Sequence, residues 1–178
     1  MHRPITALLT LGAAAALAGP ALASGPHGHH DGNRGERLVV RGDDTLSEFS
    51  CGPGGVCEAH MTGGTFRGAP VGTGNYDGVV RLALAEGFDN GEGGRCAPVS
   101  GTMTLGTGTP DRLVLSLDGE SCQDGGGDPT KSSFTGLMRF KVEYGTGSYA
   151  GARGGGKVVS LEDADDHERL TLVGRLRR

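Results

Sequence analysis

Two-residue alternation runs through most of this chain and limits what it can become. Leu113, Leu115 and Leu117 alternate with Val114, Ser116 and Asp118, and Leu170, Leu172 and Leu176 with Thr171, Val173 and Arg175. Val80, Leu82 and Leu84 stand against Val79, Arg81 and Ala83. The longest run sets Phe134, Gly136, Met138, Phe140, Val142 and Tyr144 against Thr135, Leu137, Arg139, Lys141 and Glu143. Successive side chains of a strand point to opposite faces. A period of two with one apolar and one mostly polar face therefore describes half-buried antiparallel strands. No window carries the i, i+3, i+4, i+7 apolar spacing strongly enough to claim a helix.

Eight such runs lie near 37–51, 57–68, 76–85, 96–105, 112–118, 132–144, 156–162 and 168–176. Short connections rich in Gly, Asp, Asn and Pro separate them, as an up-and-down meander requires. Gly63-Gly64 interrupts the second run, which predicts a bulge there. Eight antiparallel strands that leave no open edge close most simply into a barrel, and a two-sheet sandwich is the alternative. The expected class is all-β: an eight-stranded antiparallel up-and-down barrel. The 178 residues suit one domain. The 35 glycines follow no G-X-Y register, which excludes collagen. A net charge of −4 with no basic patch argues against nucleic acid as a partner.

Residues 1–23 are expected to be a signal peptide. Arg3 forms a short basic start, Ile5 to Ala18 is apolar, and Ala21-Leu22-Ala23 is a small-x-small cleavage site. The apolar stretch falls short of the ~20 residues of a membrane span, and no other segment comes close. Residues 24–35 have no apolar periodicity and are expected to be a disordered mature terminus, leaving 36–178 as the barrel domain. The expected location is extracellular or periplasmic. In such an oxidising compartment the even set Cys51, Cys57, Cys96 and Cys122 is expected to form disulfides. Cys51 and Cys57 flank Gly52-Pro53-Gly54-Gly55-Val56 symmetrically, and the midpoint of Cys96 and Cys122 falls in the turn from Gly106 to Asp111. Hairpin geometry thus pairs Cys51 with Cys57 and Cys96 with Cys122.

Two segments echo each other. Gly72-Thr73-Gly74-Asn75-Tyr76-Asp77-Gly78 and Gly145-Thr146-Gly147-Ser148-Tyr149-Ala150-Gly151 share Gly-Thr-Gly-x-Tyr-x-Gly. Duplication of a four-stranded unit would explain this, and so would convergent turn chemistry, since Gly serves wherever φ is positive. At Gly145 to Gly154 the chain resembles the allene oxide cyclase and dirigent group of eight-stranded barrels, closest to small secreted bacterial proteins with an allene oxide cyclase barrel-like domain. The resemblance is sharp over about 135–160. It implies a barrel with an apolar cavity, which in the plant enzymes holds a fatty-acid epoxide or a lignan precursor. No run here matches their catalytic carboxylate, proline or asparagine, so no functional residue is carried over.

Catalytic residues are not legible. Only His60 and His167 fall in the strand-rich region, and no G-x-S-x-G elbow is present. His60 alternates with Ala59 and Met61 and is expected on the outer face. The acidic turn from Glu162 to Glu168 and the segment from Asp124 to Asp128 lack EF-hand spacing. The cysteines lack zinc spacing. His27, His29, His30 and Asp31 form at most a loose metal-binding tail, because Pro26 removes an amide that an amino-terminal copper clamp needs. No cofactor or structural metal is expected. An eight-stranded barrel is just wide enough either to fill with side chains or to hold one small ligand. Gly78, Gly101, Gly136 and Gly174 on the inward faces would leave room, which makes Phe134, Met138, Phe140 and Tyr144 the expected lining of an apolar ligand pocket. No polar group is expected inside. Two functions follow: a non-catalytic secreted barrel, structural or binding a small apolar ligand, and an isomerase or cyclase such as the resemblance implies. An interior polar group would discriminate between them.

Overall fold

A computed structural model describes residues 35–91, 93–124 and 133–178. The expected signal peptide and the histidine tail lie outside the described residues. Gly35, the last residue of the expected disordered segment, accepts a hydrogen bond from the Arg175 guanidinium at 3.1 Å. The strands are β1 (Glu36–Cys51), β2 (Val56–Ala69), β3 (Gly72–Ala83), β4 (Phe88–Asp89), β5 (Arg95–Leu105), β6 (Leu113–Asp124), β7 (Ser133–Gly145), β8 (Arg153–Glu162) and β9 (His167–Arg177). Consecutive strands pair antiparallel except β3 and β4, and β1 also pairs with β9. The short β4 arm pairs only with β5.

The ring closes between β3 and β5, where Tyr76 to Leu82 pair with Leu105 to Val99. Eight strands thereby form a closed antiparallel barrel. Closure leaves no edge of unpaired N–H and C=O groups, and a sandwich has no place for this ladder. Both cystine bridges are the expected ones, and each joins residues that face each other in register. They accord with an oxidising environment.

Inward residues follow the predicted alternation. Leu38, Val40, Leu113, Leu115, Leu117, Leu170, Leu172 and Leu176 are buried together with Met103, Met138, Phe140 and Val158. Irregularities in β1, β2 and β7 shift the phase where alternation alone would fail, the first beside Leu46. In β2 the register slips between Met61 and Gly64, and Gly63 there has φ of 73°. In β7, Leu115 faces Val142 while Val114 faces Tyr144, so Glu143 is the extra residue.

The connections at the end of the barrel near Gly106 and Gly147 are tied together, around a small cavity of about 190 Å³ lined by Phe66, Leu105, Leu113 and Tyr149. Asp111 Oδ1 accepts the Ser148 N–H at 2.7 Å, and the Thr146 hydroxyl donates to the Pro110 carbonyl at 2.6 Å. These bonds fasten the β7–β8 corner to the β5–β6 turn. Tyr76 fills the neighbouring interior, fully buried, with its ring over Gly42 and Gly64. A Cβ on Gly64 would meet that ring at 2.5 Å.

Strand limits differ from those expected. The run expected to end at 118 continues to Asp124, because the ladder with β7 carries on through the polar residues Gly119 to Gln123. Leu84 lies in a helical turn outside the strand and is exposed. The two Gly-Thr-Gly-x-Tyr segments take different conformations: the first is strand β3 with Tyr76 in the core, and the second is a 3₁₀ corner over Gly147–Tyr149. They follow β2 and β7, strands four places apart in the barrel, at the β2–β3 and β7–β8 connections.

Gly64→Ala should cost about 1–3 kcal/mol, because the Tyr76 ring has nowhere to move, and urea denaturation would measure it. In the chain-entropy view, replacing both cysteines by serine should cost about 2.4 kcal/mol at Cys51–Cys57 and about 3.5 kcal/mol at Cys96–Cys122, from the difference in loop length. The same titrations should return that order of stabilities.

Candidate functional site

The interior is best described as rows of register partners running across neighbouring strands. One row holds Leu38, Gly174, Gly156, Phe140, Leu117, Gly101 and Val80. A Cβ on Gly156 or Gly174 would meet the Phe140 ring at 2.7 or 2.8 Å, so this single large side chain fills the space two glycines leave. The next row toward the other end is apolar: Val40, Leu172, Val158, Met138, Gly119, Val99 and Leu82. Beyond it comes a row of mostly small residues, Gly42, Leu170, Ser160, Gly136 and Ser121. The last row is Asp44, Glu168, Glu162, Phe134 and Gln123.

Small side chains in the third row cannot meet across the barrel, and a hollow results. It measures about 520 Å³, within the usual size of small-molecule sites. Its floor is apolar, with Met61, Met103 and Met138 beside Val99, Leu117 and Val158. Methionine is a flexible, polarizable side chain suited to an adaptable apolar wall. Its rim carries Glu48, Phe49, Phe134, Glu162, Asp166 and Glu168.

Burial dominates the electrostatics of the rim. Glu168 is 9% exposed and its carboxyl is pushed up to about 7, chiefly by desolvation, although the Ser160 side chain hydrogen-bonds it. Glu162 is also pushed up to about 7 by burial and then by the nearby Glu168, Asp166 and Asp163. Burial raises Asp44 as well. The Tyr76 hydroxyl is held protonated by burial and by Asp44, Glu168 and Asp43. Among the described residues, Asp44 Oδ2, Glu168 Oε2 and Tyr76 Oη are buried without a hydrogen-bond partner. Such groups are costly in a low-dielectric interior unless they stay protonated or meet a partner.

Two of the four predicted pocket residues line the hollow: Phe134 at the rim and Met138 on the floor. Phe140 faces inward but is spent on the glycine row beneath. Tyr144 is a correction. It is 57% exposed, because the bulge at Glu143 puts it in register with outward-facing Val114. Of the glycines expected to make room, only Gly136 does so; the Met61 side chain fills the space beside Gly78, and Phe140 that beside Gly174.

The expectation of a lumen without polar groups is also corrected, by Asp44, Tyr76, Ser160, Glu162 and Glu168. The missed signal was phase. Glu168 stands two residues before Leu170, Asp44 two after Gly42, and Ser160 and Glu162 two and four after Val158, each on the buried face of its strand.

Of the other candidate sites, the segment 125–128 lies outside the described residues. His60 lies on the outer side between buried Ala59 and Met61, with Nε2 3.8 Å from the Glu58 carboxylate. In the acidic turn, Asp163 Oδ1 accepts the N–H groups of Asp165 and His167, which shapes the hairpin. Among the described residues no three His, Cys, Asp or Glu side chains are grouped to hold a metal ion, and no helix is long and apolar enough to cross a membrane. In comparisons with protein-family models, curated proteins and solved structures, the chain matches none.

A carboxyl whose value rises from 4.5 unfolded to about 7 folded binds its proton more tightly in the native state. Its contribution to stability is complete below about pH 4.5 and is lost as pH rises through about 7. The barrel should therefore melt at a higher temperature near pH 5 than near pH 8. Glu168→Gln should recover about 2 kcal/mol near pH 8, a rise of about 5 °C in melting temperature, and flatten the pH profile. Calorimetry at both pH values checks this.

Proposed function

We propose that this chain is a secreted, non-catalytic β-barrel that binds one small, mostly apolar molecule in its lumen. The observation that carries the reading is the hollow of about 520 Å³ over a floor of three methionines. Protein interiors pack as densely as organic crystals, and beside this hollow Phe140 and Tyr76 are each seated on glycines. A smaller cavity of about 190 Å³ lies toward the Gly106 turn, and the hollow of about 520 Å³, open at its rim, is the one of the two with room for a drug-sized molecule. Export after cleavage near Ala23 fits the two disulfides. The apolar floor supplies affinity through area removed from water, and the rim supplies orientation.

A second reading is favoured by one observation, the buried and unpartnered Glu168 carboxyl beside the hollow. In an isomerase or cyclase of the allene oxide cyclase and dirigent kind, which the Gly145–Gly154 motif resembles, an acid with a value near 7 would exchange a proton with a reactive substrate held in one geometry. Stereospecific turnover of an unsaturated epoxide, abolished by Glu168→Gln, would establish this reading over the first.

The primary reading is tested with the fluorescent apolar probe N-phenyl-1-naphthylamine and the full chain. One equivalent should bind with enhanced, blue-shifted emission. Ser121→Leu, which fills the hollow from β6, should weaken binding about tenfold. Absence of saturable binding, or binding indifferent to Ser121→Leu, would overturn it.

A further inference from the structure

The acidic row at the rim is built from three strands. Asp44 on β1 faces Glu168 on β9, and Glu168 faces Glu162 on β8. All three side chains lie on the inward phase of their strands, so three carboxyls share one side of the lumen wall. Among the described residues, four of those bounding the hollow are acids, Glu48, Glu162, Asp166 and Glu168, and none is Lys, Arg or His. Among them the wall therefore offers these acids no counter-charge. Glu168, nine-tenths buried, leaves Oε2 without a partner among the described residues, and so does Asp44 its Oδ2. A buried carboxyl that finds no partner in its own chain is stabilised most by a cation or a hydrogen-bond donor brought in by the ligand.

We infer that the ligand is a cationic amphiphile, with an ammonium group seated on Glu168 and Glu162, beside Asp44, and an apolar body laid on Met61, Met103 and Met138. This rests on the reading of the lumen as a small-molecule site and specifies the chemical class it takes. An ammonium head brings both charge and N–H donors, which the unpartnered oxygens need, while its alkyl body matches the methionine floor. A fatty carboxylate of the same length places a like charge against the row and is disfavoured. A fatty alcohol lacks charge and sets the baseline for the apolar contacts.

The groups facing the row set its pH dependence. Glu168 is faced by Asp44 from β1, by Ser160 and Glu162 from β8 and by the Tyr76 hydroxyl from β3, and Glu162 is faced by Asp163 and Asp166 of the turn. None of these is basic, so the row gains negative charge as pH rises, and an alkylammonium remains charged throughout. Ammonium affinity should increase with pH, and alcohol affinity should not.

Isothermal titration of the full chain with decylamine, decanol and decanoate tests the inference. Near pH 8, decylamine should bind about tenfold or more tighter than decanol and decanoate weaker than both, with the amine advantage shrinking severalfold near pH 5. In the double variant Glu162→Gln/Glu168→Gln, with an unchanged circular-dichroism spectrum to certify the fold, the amine advantage over decanol should disappear. Decylamine binding no tighter than decanol, or an amine advantage that survives the double variant, overturns the ammonium site and leaves the apolar pocket standing. Binding of none of the three overturns the pocket and the ammonium site together.

Discussion

The ladder between β3 and β5 is the constraint on which the rest depends. Without it, eight strands would be a curved sheet with two open edges and one wet face. With it, every second side chain is committed to a closed interior, and the backbone hydrogen bonds of the ring are satisfied internally. The short β4 arm and the Cys96–Cys122 bridge both attach to β5, so the closing strand is held from two sides. The interior then has to be filled strand by strand, and how well it is filled differs between the two ends.

Away from the large hollow, big side chains are matched to glycines: Phe140 over Gly156 and Gly174, and Tyr76 over Gly42 and Gly64. Packing is close around those two rings. Toward the rim, a row of Ser160, Gly136 and Ser121 has no large partner opposite, so the missing volume remains as a hollow. The same glycine-rich composition thus yields close packing around two aromatic rings and a hollow of about 520 Å³ beyond them. Register decides between these outcomes, because a glycine makes room only if nothing reaches across to take it.

Burial gives the rim its chemistry. Carboxyl groups placed beside a methionine floor lose much of their hydration and cling to protons that exposed acids would release. That penalty is carried by the folded state, which the fold tolerates because the ring and two disulfides hold these strands in place. Costly polar groups retained next to an open cavity mark a place where function competes with stability. The Tyr76 hydroxyl extends the polar cluster inward from the rim, and joins the packed core to the candidate site.

Alternation of the leucines, methionines and valines by itself determined that the chain is all-β, that the strands form a meander, and which faces are buried. The symmetry of Cys51 and Cys57 about one turn, and of Cys96 and Cys122 about another, determined the disulfides, because cross-strand partners in a hairpin are equidistant from its turn. Gly63-Gly64 announced its bulge. The bulge at Glu143 was silent, since no glycine or break in the pattern marks it, and it alone turns Tyr144 outward. Only the tertiary structure brought Asp44, Glu162 and Glu168 into one row and left Ser160, Gly136 and Ser121 side by side. Those residues are distant in the chain, and their meeting depends on the offset between strands, a quantity that a pattern within any single strand does not contain.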